Sequence, residues 1–226
     1  LDRGCKNKKL RQQQLHHQDG DDDADDQAAQ RHADDQTSVR LSPGQQRELL
    51  ELPYKVWGDD APLRAARDYA ILRLMLATGI RVDECANLIR SDLFSSQDDV
   101  PGLLIREGKG NKQRLVPYDD KALRKMEVVI DGLSILEDMQ EWMSIAGIDH
   151  PKQPLFPGFK SRWQKHLNHN PLKVRALKHI IAGTEVKGEY EGGYHLKDGT
   201  RVKAHDLRRT YARTMFSAGL PVDRLS

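Results

Sequence analysis

From residue 41 onward the apolar positions fall into regular rhythms, and before it they fall into none. Pro62 is followed by Leu63, Ala66, Tyr69, Ala70, Leu72, Leu76 and Ala77, with Ile71, Leu74 and Met75 on the remaining sides. Spacings of three and four residues mark a helix, and apolar side chains around most of its circumference mark a buried one. Proline suits the first helical position, and Gly79 is placed to end the helix. Upstream, Ser42-Pro43-Gly44-Gln45 is a capping-box pattern that predicts a helix to about residue 52. Residues 82–90 read as helix again, offering Cys85, Ala86, Leu88 and Ile89 to the core.

The period then shortens to two. Leu103-Leu104-Ile105 and Arg114-Leu115-Val116-Pro117 flank Gly108-Lys109-Gly110-Asn111-Lys112, which predicts a β-hairpin with a glycine-rich turn. Helical spacing returns at 120–130 and 133–146, and again from Pro171, behind an Asn170 cap, to Gly183. Asp198-Gly199 within 194–202 signals a second hairpin. Residues 206–218 form a last complete helix with a stripe of Leu207, Tyr211, Met215 and Ala218, stopped by Gly219. No internal repeat is visible. The expected fold class is α+β, a mostly helical domain with a small antiparallel sheet.

Residues 1–40 differ from this. Positions 19–35 hold eight aspartates and one arginine, with no aliphatic side chain larger than alanine. Such a stretch cannot bury enough apolar surface to offset its ordering entropy, so it is expected to be a disordered acidic linker. Residues 1–18 are polar and basic, with Leu10 and Leu15 as the larger apolar side chains. The chain begins at leucine, which suggests a fragment. The expected organisation is a linker or domain remnant over 1–40 and one domain over 41–226.

Composition narrows the class. The 226 residues are 38% hydrophobic and 31% charged, and the longest apolar-rich stretch, 69–79, is interrupted by Arg73. That is far short of a bilayer span, and no basic-then-apolar leader opens the chain. Two cysteines, Cys5 and Cys85, cannot staple a fold. A reducing, cytoplasmic setting is expected, and a membrane protein or a disulfide scaffold is not. His166 and His169 are three apart without a matching carboxylate, so no metal or other cofactor is expected.

The net charge of +2 is unevenly spread. Residues 1–40 carry 7 basic against 9 acidic side chains (−2), 41–149 carry 14 against 19 (−5), and 150–226 carry 15 against 6 (+9). A C-terminal third this basic suits nucleic acid, although a solvated lysine-rich surface would look the same.

Several basic residues stand out by context. Arg81 follows a helix stop and precedes Glu84 by three residues, so both share one helical face. The carboxylate could orient the guanidinium and leave its other donors for an anion, or the two could form an ordinary surface ion pair. Lys109 stands between two glycines at a hairpin tip, within reach of a phosphate or a leaving oxygen; a solvated turn lysine fits equally. A Walker loop is excluded by spacing. His205 and Arg208 lie three apart at a helix start, where dipole and free N–H groups favour phosphate. Histidine there can also move protons near neutral pH, or can simply cap the helix.

In order, Thr78-Gly79-Ile80-Arg81-Val82-Asp83-Glu84, the hairpin from Gly108 through Pro117, and His205-Asp206-Leu207-Arg208-Arg209-Thr210 resemble the three signature boxes of the tyrosine recombinase (phage integrase) family. The resemblance runs from Leu41 to the last residue and includes Leu41-Ser42-Pro43, Leu155-Phe156-Pro157 and Ala218-Gly219-Leu220. It implies site-specific cutting and rejoining of double-stranded DNA through a 3′-phosphotyrosyl intermediate, without metal or nucleotide. Arg81 and Arg208 would clamp the scissile phosphate, Lys109 would protonate the departing 5′ oxygen, and His205 would take part in proton transfer. Glu84 would support Arg81, while Lys112, Arg114 and Arg209 would contact DNA.

The family pattern continues with a His or Trp and a nucleophilic tyrosine after the Ala-Gly-Leu turn, and none of the six tyrosines here takes that place. Tyr211 is nearest, but it belongs to an apolar stripe. The expectation is a recombinase catalytic domain, incomplete at its C-terminal end, that binds DNA without cleaving it alone. A catalytically dead DNA-binding remnant is the alternative, and type IB topoisomerase is a more distant one that the box spacing disfavours. A monomer in solution is expected, with tetramers on DNA for the full-length protein.

Overall fold

A computed structural model describes residues 39–97, 100–108, 112–117, 135–159, 167–186 and 189–217. All of these fall in one of the two units into which the chain divides, Val39–Ser226. The expected features at 1–38, 120–130 and 218–226, together with Lys109, lie outside the described residues.

Helix α1, Pro43–Trp57, starts as its sequence predicts: Ser42 Oγ accepts from Gln45 N–H at 3.2 Å while Gln45 Oε1 accepts from Ser42 N–H at 2.9 Å. It runs past residue 52 because Pro53 is tolerated inside it. Helix α2, Pro62–Thr78, is the central element, with Ile71, Leu72, Leu74 and Met75 fully buried. It packs against α1, against α4 (Ile135–Ala146) and against α6 (Ala204–Ser217).

Apolar burial on all sides forces the polar side chains of α2 to find partners indoors. Asp68 Oδ1 accepts from Arg67 Nε and Nη2 at 3.0 and 2.8 Å. Its Oδ2 accepts from Trp57 Nε1 at 3.0 Å and Tyr194 Oη–H at 2.9 Å. Arg73 donates from Nε to Asp138 Oδ2 of α4 at 2.7 Å. Burial, and the Asp138 charge, push the neighbouring Tyr69 hydroxyl up to about 12.

The second stretch read as one helix is two pieces. Helix α3 spans only Val82–Ala86, and a 3₁₀ turn follows at Arg90–Phe94. Between them Leu88 O accepts from Leu155 N–H at 2.9 Å and Ile89 bridges to Pro154, pairings a continuous helix would forbid. Strands β1 (Ser95–Gln97), β2 (Val100–Ile105) and β3 (Arg114–Pro117) form an antiparallel sheet in that order. The expected hairpin is its β2–β3 half, in register from Gly102↔Pro117 to Ile105↔Arg114.

Strands β4 (Pro157–Phe159) and β5 (Leu167–Pro171) pair antiparallel, so Pro171 ends a strand rather than opening a helix. Leu172 N–H donates to Phe156 O at 2.9 Å, and helix α5 starts at Val174. Strands β6 (Thr184–Val186) and β7 (Glu189–Glu191) add a short hairpin. The turn at Asp198-Gly199 forms, with Gly199 at φ 83° and His195 bridged to Arg201. No helix among the described residues is long and apolar enough to cross a membrane. The architecture is α+β, helices around α2 with small antiparallel sheets at the periphery.

Candidate anion-binding site

The C-terminal end of α2, the start of α3, strand β3 and the first turns of α6 meet at one place. Gly79 ends α2 in the left-handed conformation (φ 60°, ψ 21°), its N–H donating to Met75 O. The backbone turns there and delivers Arg81 as the residue preceding α3. Glu84, at the third helical position, reaches back in capping-box fashion: its Oε2 accepts from Arg81 N–H at 2.8 Å. Its Oε1 accepts from Arg81 Nη1 at 3.0 Å.

The same carboxylate takes a second guanidinium. Arg114, thirty residues on in β3, donates Nη1 to Oε1 and Nη2 to Oε2, both at 2.8 Å. The Glu84 side chain is 1% exposed. Burial raises its carboxyl, but the Arg114 fork, the Arg81 N–H, the Arg114 charge and the Arg81 side-chain bond outweigh that and hold it below the usual glutamate range.

Arg208 comes from the second turn of α6. Its Nη1 donates to Gly79 O at 2.5 Å, using a carbonyl left free where α2 ends. Burial lowers its pKa, and the charges of Arg81 and Arg114 lower it further while Glu84 opposes them. The bond to Gly79 O, two residues before Arg81, brings Arg208 to the same junction. Two guanidiniums therefore bond one carboxylate and a third is held at the same junction, so positive charge exceeds negative among these four side chains.

Asp206 fixes the start of α6. Its Oδ2 accepts from Lys203 N–H at 2.9 Å, capping the helix, and its Oδ1 accepts from Val39 N–H at 3.1 Å. Leu41 N–H donates to Thr210 Oγ1 at 3.0 Å, one turn further along. Lysine at 203 is not a capping residue, so this reach-back bond from Asp206 carries no signature in the sequence. The helix starts at Ala204, ahead of the predicted 206, and so His205 lies in its first turn, exposed.

Tyr211 is half-buried, and its ring lies against Gly79. Burial raises its hydroxyl, opposed by Arg208. Lys112 is exposed at the foot of the β2–β3 hairpin, where its carbonyl accepts from Gly108 N–H at 3.0 Å. Arg209 is half-buried on α6. The structure thus gathers Arg81, Glu84, Arg114 and Arg208, with His205 three residues before Arg208 on the same helix.

The domain is thus helical α+β, with two arginines bonded to a buried carboxylate and a third held at the same junction. The phage integrase family model matches residues 40–226, and the chain belongs to that family. Tyrosine recombinase XerC of Listeria innocua serovar 6a is 41% identical over 175 residues, covering 76% of this chain and 48% of the relative. Tyrosine recombinase XerC of Bacillus subtilis (strain 168) is 28% identical over 175 residues, covering 77% of this chain and 48% of the relative. The chain spans about half the length of the curated relatives it matches. The crystal structure of XerA recombinase superposes with a TM-score of 0.53 at 19% identity, covering 83% of this chain and 54% of that one.

Proposed function

We propose that this chain is the DNA-binding and phosphate-activating part of a site-specific recombinase of the integrase type. The observation that carries the reading is the excess of guanidinium over carboxylate at the junction of α2, α3, β3 and α6. The family relationship supplies the ligand that would fill it, a DNA phosphodiester.

In this reading Arg81 and Arg208 donate to the two non-bridging oxygens of the scissile phosphate. Both bind more tightly as negative charge builds on those oxygens in the pentacoordinate transition state, which is where binding accelerates a reaction. A tyrosine oxygen attacks phosphorus, the bond from phosphorus to the 5′ oxygen breaks, and Lys109 protonates that oxygen as it leaves. His205, exposed at the positive end of α6, handles the proton of the attacking hydroxyl. Rejoining runs the same steps backwards. Lys112 and Arg209 contact the flanking backbone, and affinity is strongly salt-dependent because phosphate contacts release counterions. The reaction needs no metal or nucleotide. The setting is cytoplasmic, with residues 1–40 as a linker or remnant ahead of the catalytic domain.

Tyr211 is not the nucleophile in this scheme, since its ring is packed on Gly79. The 226 residues by themselves hold the phosphate without cutting. The test is a nicked suicide duplex, offered to this chain and to a version continued through a tyrosine-bearing helix. Binding by both, a covalent protein–DNA band from the longer one alone, and loss of that band in Arg208→Ala support the proposal. Absence of a band from a folded longer chain overturns the recombinase reading in favour of a DNA-binding remnant. Light scattering without DNA is expected to give a monomer, and tetramers only for a full-length protein on DNA.

A further inference from the structure

We infer that Arg114 is a positioning residue for Arg81, acting through the Glu84 carboxylate, rather than a contact to the DNA backbone. Both terminal nitrogens of Arg114 are already committed, at 2.8 Å each, to opposite oxygens of a side chain that is 1% exposed. A planar fork on a carboxylate fixes the plane of that carboxylate, which a lysine ammonium cannot do. The orientation matters because Arg81 uses the same two oxygens, Oε2 through its backbone N–H and Oε1 through Nη1.

Gly108 is a second and independent sign that the fork is built into the site. A Cβ at position 108 would lie 2.7 Å from Arg114 Nη1 and 2.8 Å from Lys112 O. Only a residue without a side chain leaves the space in which the fork lies. Arg81, at 37% side-chain exposure, keeps Nε and Nη2 outside this pairing and is the more exposed of the two. Without Arg114, Glu84 would keep Arg81 as its sole guanidinium partner, free to swing into the vacated fork and away from the anion.

This inference rests on the reading of Arg81 as a phosphate ligand, so the experiment has one arm with DNA and one without. Anisotropy titrations of a fluorescent duplex are run with Arg114→Met, Arg114→Lys, Glu84→Gln and the double variant Glu84→Gln/Arg114→Met, each first checked for a native melting transition. Acting through Glu84, Arg114→Met weakens binding about tenfold in the wild-type background, the scale of one charge-assisted hydrogen bond, and less than about twofold on top of Glu84→Gln. Arg114→Lys behaves as Arg114→Met. A direct backbone contact gives the opposite pattern: equal losses in both backgrounds, and recovery by lysine. Either of those results overturns the inference.

The arm without DNA is the ¹⁵Nε resonance of Arg81. It is expected to move in Arg114→Met and in Glu84→Gln, and a resonance unmoved by Arg114→Met refutes the positioning role. Failure of the wild-type chain to bind any duplex refutes the proposed function, and the Arg81 resonance then decides the positioning role alone.

Discussion

Replacing Gly79 with alanine strikes the backbone and a neighbouring ring together, and the two costs are separable. At φ 60° an alanine sits in the left-handed region, which disfavours a side chain by about 1 kcal/mol relative to glycine. Its Cβ would also lie 2.2 Å from Tyr211 Cδ1 and 2.8 Å from Cγ, well inside contact distance. Relieving such an overlap in a packed interior costs about 1–3 kcal/mol. The loss of glycine's freedom in the unfolded chain returns about 0.4–1 kcal/mol. The net expectation is a destabilisation of about 1–3.5 kcal/mol, read as a lower urea midpoint at unchanged m-value. In a Tyr211→Ala background the overlap vanishes, and the same substitution should cost only the small backbone remainder. Because Gly79 O accepts from Arg208 Nη1, DNA affinity should fall with the single substitution and recover less than stability does in the double. A Gly79→Ala variant within 0.5 kcal/mol of wild type, or an equal loss in both backgrounds, refutes the reasoning.

Three further outcomes are expected. Asp68→Ala strands the buried Arg67 guanidinium and the Tyr194 and Trp57 donors, and urea denaturation should show a loss of about 3–5 kcal/mol. Asp206→Asn keeps the shape but offers one carbonyl oxygen to two backbone N–H donors, so it should cost about 1–2 kcal/mol by the same measurement and loosen residues 39–41 to hydrogen exchange. Glu84 is held below its ordinary value of 4.5, so its ionised form stabilises the fold. That contribution is complete above the unfolded value and lost as pH falls through the folded one. The stability gap between wild type and Glu84→Gln should therefore be flat from neutral pH to about 5.5 and shrink below 4.5 in acid denaturation series.

Elements with explicit stop and start residues are legible in the sequence. Ser42-Pro43 and Pro62 with Gly79 fix three helix ends through local chemistry, and the β2–β3 hairpin follows from its alternation and glycines. The errors have a common cause. At Leu88–Ile89 and at Pro171 the local preference for helix is overridden by pairing with Leu155, Pro154 and Pro157, partners between 14 and 67 residues away that no window reveals. The same holds for the site. Arg81 with Glu84, and His205 with Arg208, are visible because three-residue spacing on a helix brings side chains together. The Arg114 fork spans thirty residues and a hairpin, so its sequence shows only a basic residue in a strand. The bond from Arg208 to Gly79 O spans 129 residues and uses a backbone atom, which no side-chain motif encodes.

The two bonds that tie Val39 and Leu41 to α6 join residues 167 and 169 apart in sequence. Closing a flexible loop of that length costs about 4.5 kcal/mol of chain entropy beyond a constant. The Glu84–Arg114 contact closes a span of only 30 residues. Folding therefore has an order built into its topology: the carboxylate and its two arginines can assemble within a local subdomain, whereas Arg208 joins them when the chain's most distant described segments dock. A half-folded intermediate would hold Glu84 with Arg81 and Arg114, one carboxylate against two guanidiniums, without Arg208. Completion of the three-arginine junction is thus a late event, arriving with the last long-range closure.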